Sequence, residues 1–270
     1  GAPRDGGAPR DGGAPRDGGA PRRRRRLAAV AAVVAAAAGA GGCGGVAPTS
    51  MLPLRAPPVT SAPTTVPGLP AATTVADLRG PVPGYSSPGG PATMTVPGTW
   101  YGFGSALPVV GEQPGWAEVR LAQRPNQSTT WIRTASVPMS VTPYRMVLDL
   151  STEHLSVYQA NQLTLDLPAG IGTTDDPTVT GHYFVTMKAP PPDSGYGPFV
   201  LVTSAHSEAI TDWGGSGDAI IAIHGPIDSY DDSLIGTTGA RISHGCIRLH
   251  DADLARLADI PAGTPLDIVG

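Results

Sequence analysis

The chain has 270 residues and a formal net charge of −4, enough for one or two domains. Glycine (36) and proline (30) are so frequent that part of this length falls in the composition range of unfolded segments. The charge is uneven: residues 22–26 are all arginine, whereas after Cys43 10 basic residues face 19 acidic ones. That balance excludes the broad positive footprint of a nucleic-acid-binding domain.

Residues 1–26 are a low-complexity basic repeat in which "GAPRDG" occurs three times. No apolar period runs through it, so no core can form there. Residues 27–43 follow the arginine block with a 12-residue apolar run, 27–38, and then small residues ending at Cys43. A charged block, a short apolar run and small residues are the parts of a bacterial export signal. The run is shorter than the roughly 20 residues a transmembrane helix needs; a short uncleaved anchor is the competing reading. "AGGC", residues 40–43, resembles the lipobox of bacterial lipoproteins, with Ala40 in place of the usual leucine. Cys43 is thus a candidate for lipidation and a membrane anchor.

Residues 44–84 hold nine prolines, many threonines and no aromatic residue before the end of the segment, the composition of an extended linker. At about 3 Å per residue such a tether reaches on the order of 100 Å. Aromatic residues begin at Tyr85, and residues 85–142 carry Trp100, Trp116 and Trp131. The runs "WAEVRL" and "TTWIRTASV", divided by "EQPG" and "QRPNQS", predict short strands in a small β-barrel. This stretch resembles the SH3-like modules of bacterial cell-wall proteins; the competing reading is a structural β subdomain that binds nothing.

Residues 143–270 are richer in β signals. "YRMVLDL", "HLSVYQ", "QLTLDL", "HYFVTM", "PFVLVT", "AIIAIHG" and "PLDIV" predict a mostly antiparallel β fold. One short C-terminal helix is expected over residues 251–260, capped by Asp251 and ended by Pro261. "DSYDDS", 228–233, reads as a solvated acidic loop, with a part in a lid as the other reading. His154 and His182 fall in predicted strands, His206 and His250 at solvated or capping positions, and Trp213 lines a cleft or packs beside its glycines.

Cys246, in "RISHGCIRLHD", is the residue with the most chemistry around it. A thiol of pKa about 8.5 is mostly protonated at neutral pH, so a cysteine nucleophile needs a base. It also needs N–H donors aimed at the developing oxyanion. Gly245 permits a tight turn and close approach of substrate, and backbone N–H groups near Cys246 are candidate donors. The base is either His244, two positions before the cysteine, or His224, which ends a predicted strand. Zinc is a poor fit, because H-x-C-x3-H is not a usual ligand spacing and no CxxC occurs. A Cys43–Cys246 disulfide and an inert buried thiol are the remaining readings.

"IHGP", followed by "SHGCIRL" with 18 residues between His224 and Ser243, resembles the catalytic signature of bacterial L,D-transpeptidases. "TDDPTVTGHYFVTMKAPP" is similar to the region that precedes the active site in that family. The resemblance covers residues 143–270 and implies an L,D-transpeptidase-type β-sandwich. It implies Cys246 as nucleophile and His224 as general base and acid. Gly225 would support the histidine through its carbonyl, Gly245 and Cys246 would supply oxyanion donors, and Ser243 and His244 would shape the site. Arg248 would bind a substrate carboxylate through a bidentate pair.

The implied reaction is acyl transfer on peptidoglycan tetrapeptide stems with release of D-alanine and formation of 3→3 cross-links. With water as acceptor the same site would be a carboxypeptidase, and without chemistry the chain would be a cell-wall-binding protein. No cofactor or metal is implied, and the partners are peptidoglycan stem peptides and, through a lipid anchor, the membrane. The implied location is the cell envelope.

Overall fold

The computed structural model describes residues 70–270. The basic repeat of residues 1–26, the expected export signal of 27–43 with Cys43, and the expected linker up to residue 69 lie outside the described residues.

The N-terminal part is a β module. Its strands are β1 (Thr73–Asp77), β2 (Val82–Tyr85), β3 (Ala92–Val96), β4 (Thr99–Trp100), β5 (Phe103–Gly104), β6 (Ala106–Gln113), β7 (Trp116–Arg120), β8 (Thr129–Arg133) and β9 (Met139–Thr142). Seven of them form one sheet in the order β3-β2-β8-β7-β6-β1-β9, and β4 and β5 form a separate hairpin. The pattern follows side-chain alternation: in β7, Ala117 and Val119 are buried while their neighbours are half-exposed, as a sheet with one covered face requires.

Two strands correct the linker boundary at residue 84. β1 and β2 lie inside the predicted linker, and β1 pairs antiparallel with both β6 and β9. "TTVAD" differs little in composition from the Pro/Thr-rich residues before it. It is ordered by partners about 30 and 65 residues away, which bury Val75 and Ala76. The ordered module therefore begins at Thr73 rather than Tyr85.

The second part contains β10 (Tyr144–Asp149), β11 (His154–Gln159), β12 (Gln162–Pro168), β13 (Ile171–Gly172), β14 (Gly181–Ala189), β15 (Val200–His206), β16 (Ile220–His224), β17 (Arg241–Ser243), β18 (Ile247–Arg248) and β19 (Pro265–Val269). Every run predicted as a strand here is one. The main sheet has the order β12-β11-β10-β19-β14-β15-β16-β18. It folds at β14, whose first half pairs with β19 and whose second half pairs with β15, with a register shift between Val185 and Met187. Three pairings are parallel, β10–β19, β13–β17 and β16–β18, because their partners return from distant parts of the chain rather than through hairpins.

Among the described residues there are two α-helices rather than one. α1 (Ser229–Leu234) occupies "DSYDDS", where a solvated acidic loop was expected; Asp228 caps it by accepting the Asp231 N–H at 2.9 Å. α2 (Asp251–Ala255) is shorter than the predicted 251–260, and its N-cap is His250 rather than Asp251. Leu254 within it and Leu257 in the turns that continue it are both buried.

β14 joins the two parts. Tyr183 and Val185 point into the core of the second part, while Phe184, 1% exposed, belongs to the hydrophobic cluster of the module with Ala76, Val119 and Ile132. Strand alternation thus puts one residue of the second part into the core of the first. At the same junction the Thr142 and Thr264 hydroxyls meet at 3.3 Å.

Candidate active site

β16 and β18 are adjacent and parallel, with Ile223 opposite Ile247 and His224 opposite Arg248. One step back along this register sets Cys246 beside Ala222. The two-residue period then turns Ala222, His224, Cys246 and Arg248 toward one side. All four line a cavity of about 280 Å³. A histidine and a cysteine separated by more than 20 residues are brought together by a strand pairing, not by sequence proximity.

The turn that delivers Cys246 is held by a short hydrogen-bonded chain. Ser243 Oγ donates to the Cys246 carbonyl at 2.6 Å and accepts the Gly245 N–H at 3.1 Å. Thr178 Oγ1 donates to the Gly245 carbonyl at 2.9 Å and accepts the Gly172 N–H at 2.8 Å. Gly245 has φ of +111°, a conformation that needs glycine. Its amide already serves Ser243, which corrects the expectation of a free oxyanion donor at Gly245. Cys246 is a free, half-buried thiol. Burial pushes the thiol pKa up, against the Ala222 backbone hydrogen bond and the Arg248 charge.

His224 is 3% exposed, and its Nδ1 lies 2.7 Å from the Gly225 carbonyl oxygen. With Nδ1 donating there, Nε2 is the nitrogen left to accept a proton. Burial lowers the imidazole pKa to about 4, only partly opposed by the Gly225 bond. The Tyr196 ring packs on the imidazole at 4.7 Å, and the Tyr196 carbonyl accepts the Gly225 N–H at 2.9 Å. Gly225 has no room for a side chain: a Cβ would stand 2.5 Å from Asp251 Oδ1 and 2.7 Å from Gly197 N.

His244 contrasts with His224. Its side chain is 60% exposed and only 3.9 Å from Asp176 as its nearest carboxylate. It lies at the cavity rim with the Trp213 ring 5.1 Å away. Arg248 is 9% exposed; its Nη1 pairs with Asp231 of α1, and its Nε is buried without a partner. Asp231 and Tyr196 had no individual signal in the sequence, because each reaches the site from a loop or helix whose position depends on the fold. His206, expected at a solvated or capping position, is instead the last residue of β15 and is buried at 1% exposure.

The buried imidazole of His224 and the thiol of Cys246 thus face one cavity from neighbouring, parallel segments of a β domain. Residues 143–268 match the family described as the L,D-transpeptidase catalytic domain, YkuD. A curated Bacillus licheniformis protein named as the L,D-transpeptidase YkuD is 28% identical over 127 residues, covering 47% of this chain and 66% of that protein. An L,D-transpeptidase from Mycobacterium smegmatis has a similar solved structure, with TM-score 0.37, 18% identity, and coverage of 60% of this chain and 80% of that one. For Mycobacterium tuberculosis L,D-transpeptidase 1 the figures are 0.32, 18%, 53% and 78%. For the catalytic domain of the Enterococcus faecium enzyme they are 0.33, 21%, 46% and 95%. The family match thus covers residues 143–268, and the chain spans just under two thirds of the length of the curated relative.

Proposed function

We propose that the protein is an exported peptidoglycan L,D-transpeptidase with Cys246 as nucleophile and His224 as general base and acid. The observation that carries this reading is His224: it is buried in the cavity it shares with Cys246, with Nδ1 committed to the Gly225 carbonyl and Nε2 left free. The lowered imidazole and raised thiol pKa values keep both groups neutral at rest. Proton transfer therefore accompanies attack instead of preceding it.

Cys246 Sγ adds to the carbonyl of the bond between the third, diamino acid and the terminal D-alanine while His224 takes the thiol proton. The C–N bond breaks, the proton passes to the departing D-alanine amine, and a thioester remains. A side-chain amine of a second stem then attacks the thioester. His224 takes the amine proton and returns it to the leaving thiolate, giving a 3→3 cross-link. The Cys246 N–H is the oxyanion donor in this scheme. Arg248, with a buried unpartnered Nε, holds a stem carboxylate by exchanging it for Asp231.

In this reading residues 27–43 are an export signal with Cys43 as lipid anchor, 44–72 a linker and the β module an SH3-like wall-binding unit, so that the chemistry lies in the cell envelope; the arginine block and short apolar run before Cys43 support it. The SH3 likeness rests on the sequence runs of residues 106–132.

The test is the intact mass of the protein after incubation with a disaccharide-tetrapeptide ending in D-alanine, with products analysed alongside. An acyl adduct on Cys246, free D-alanine and cross-linked dimer are expected, and Cys246→Ala abolishes all three. Adduct with tripeptide alone makes the enzyme a carboxypeptidase. No adduct and no product from folded, reduced protein overturns the catalytic reading in favour of a wall-binding protein.

A further inference from the structure

The catalytic cavity is not lined by the catalytic domain alone. Tyr101, in the turn between β4 and β5 of the module, is one of its wall residues. The ring is 58% exposed and stands edge-on to Trp100 at 5.4 Å. The turn has φ of 47° at Tyr101 and 84° at Gly102. Across the same rim Trp213, 53% exposed, is carried by loop 207–218 and lies against His244. Two large, exposed aromatic rings at one cavity mouth, one from each part of the molecule, contribute little to either core. Such rings present apolar area with few rotatable bonds to a ligand.

The loop that carries Trp213 is held at both ends by the module. Arg124 Nη2 donates to the Ser207 carbonyl at 2.8 Å, and Arg124 Nε donates to Asp218 Oδ1 at 2.9 Å. Asn126 pairs with the His206 backbone in both directions: Nδ2 donates to the carbonyl at 2.8 Å, and Oδ1 accepts the N–H at 2.9 Å. The buried His206 ring adds a contact from Nε2 to the Ala122 carbonyl at 3.2 Å. Its Nδ1 lies 2.8 Å from Asp218 Oδ2, out of hydrogen-bonding alignment. Burial opposes ionisation of Asp218, but the Ala219 amide, His206 and Arg124 together hold its carboxyl below the usual range. Residues 122–126 therefore form a clamp on the two ends of one loop. Fixing those ends before substrate arrives lowers the ordering cost of binding.

We propose that the N-terminal module is part of the substrate site: Tyr101 forms one wall of the entrance, and Arg124 and Asn126 are positioning residues for the loop that supplies the facing Trp213. The stem peptide enters between the two rings. The inference rests on the peptidoglycan-stem reading above and extends it to the module, which has a role in substrate selection besides any attachment to the wall.

The test has two arms on the full chain. In the first, the affinity of the Cys246→Ala protein for a disaccharide-tetrapeptide is measured by calorimetry, with and without Tyr101→Ala, Tyr101→Phe or Arg124→Ala. In the second, turnover is measured over a substrate series with Cys246 intact, beside the rate of Cys246 alkylation by iodoacetamide. Tyr101→Ala weakens binding and raises KM by about five- to tenfold, and Tyr101→Phe restores both. Arg124→Ala raises KM by a similar factor, while alkylation by the small reagent stays at the parental rate. Tyr101 is exposed, so its pair of variants decides the matter even if Arg124→Ala does not fold. Unchanged affinity and KM in Tyr101→Ala, from an active parent, overturns the proposal alone. A parent that binds without turning over sinks the catalytic reading, and the affinities still decide the role of the module. A parent that neither binds nor turns over overturns both.

Discussion

His224 and His244 are both within reach of sequence reasoning as the base, and their surroundings separate them. His224 is buried with one ring nitrogen committed; His244 is exposed at the rim. His224→Ala is expected to lower kcat/KM by about 10²- to 10⁴-fold, the usual scale of general-base loss. His244→Ala should stay within about tenfold of the parent, a loss of rim contacts only. Steady-state rates with the tetrapeptide check this, and the reverse ranking moves the base to His244.

The pKa of His224 adds a pH prediction. It is lowered from 6.5 to about 4, chiefly by burial, so the folded protein resists protonation that the unfolded chain accepts. Its contribution to stability is complete above pH 6.5 and is lost as the pH falls toward 4. The acid limb of kcat/KM should accordingly fall near pH 4 rather than near 6.5. Melting curves and rates across this range test both. A midpoint near 6.5 would show His224 to be solvated in the working enzyme.

At the level of elements, the site depends on close backbone approach. The strand end at His224, the turn at residues 193–197 and the start of α2 meet around Gly225, where a Cβ would contact Gly197 N at 2.7 Å. Gly225→Ala is expected to destabilise the protein by about 1–3 kcal/mol, as overpacking does. It should also cut turnover further than that loss accounts for, because the carbonyl that orients His224 moves. Thermal melting and kcat/KM, measured on the same preparation, separate the two effects. α1 makes a related point: its carboxylates, which look solvated in sequence, are docked by Arg248–Asp231 and by His250–Asp232 at 2.7 Å. An acidic run has the same composition whether it faces water or a guanidinium and an imidazole; only the chain that returns beneath it distinguishes these.

For the whole molecule, Phe184 is the side chain that makes two parts into one. It is fully enclosed by the module although it belongs to a strand of the catalytic domain. Phe184→Ala should cost about 3–5 kcal/mol, the range for truncating a buried aromatic residue. The parent should unfold in a single transition. In urea, the fluorescence of the module tryptophans Trp100, Trp116 and Trp131 and the far-ultraviolet circular dichroism should therefore coincide. Two separated transitions in the parent would show the junction to be a loose contact.

What the sequence determined by itself was local or motif-borne. Alternation in "YRMVLDL" and "HLSVYQ" suits strands with one covered face, and the continuous apolar run of "AIIAIHG" a strand covered on both. The residues around Cys246 left the base open between His224 and His244; it was the resemblance of "IHGP" and "SHGCIRL" to a known signature that pointed to His224. Tertiary structure decided the rest. Thr73–Asp77 became a strand because β6 and β9 flank it, despite a linker-like composition. The Gly245 amide was taken by Ser243, Arg248 found Asp231, and the module brought Tyr101 to the cavity. Apart from the Ser243–Gly245 bond, which is local to one turn, each of these is a contact between residues distant in sequence, settled by which surfaces pack together and invisible to any pattern read along the chain.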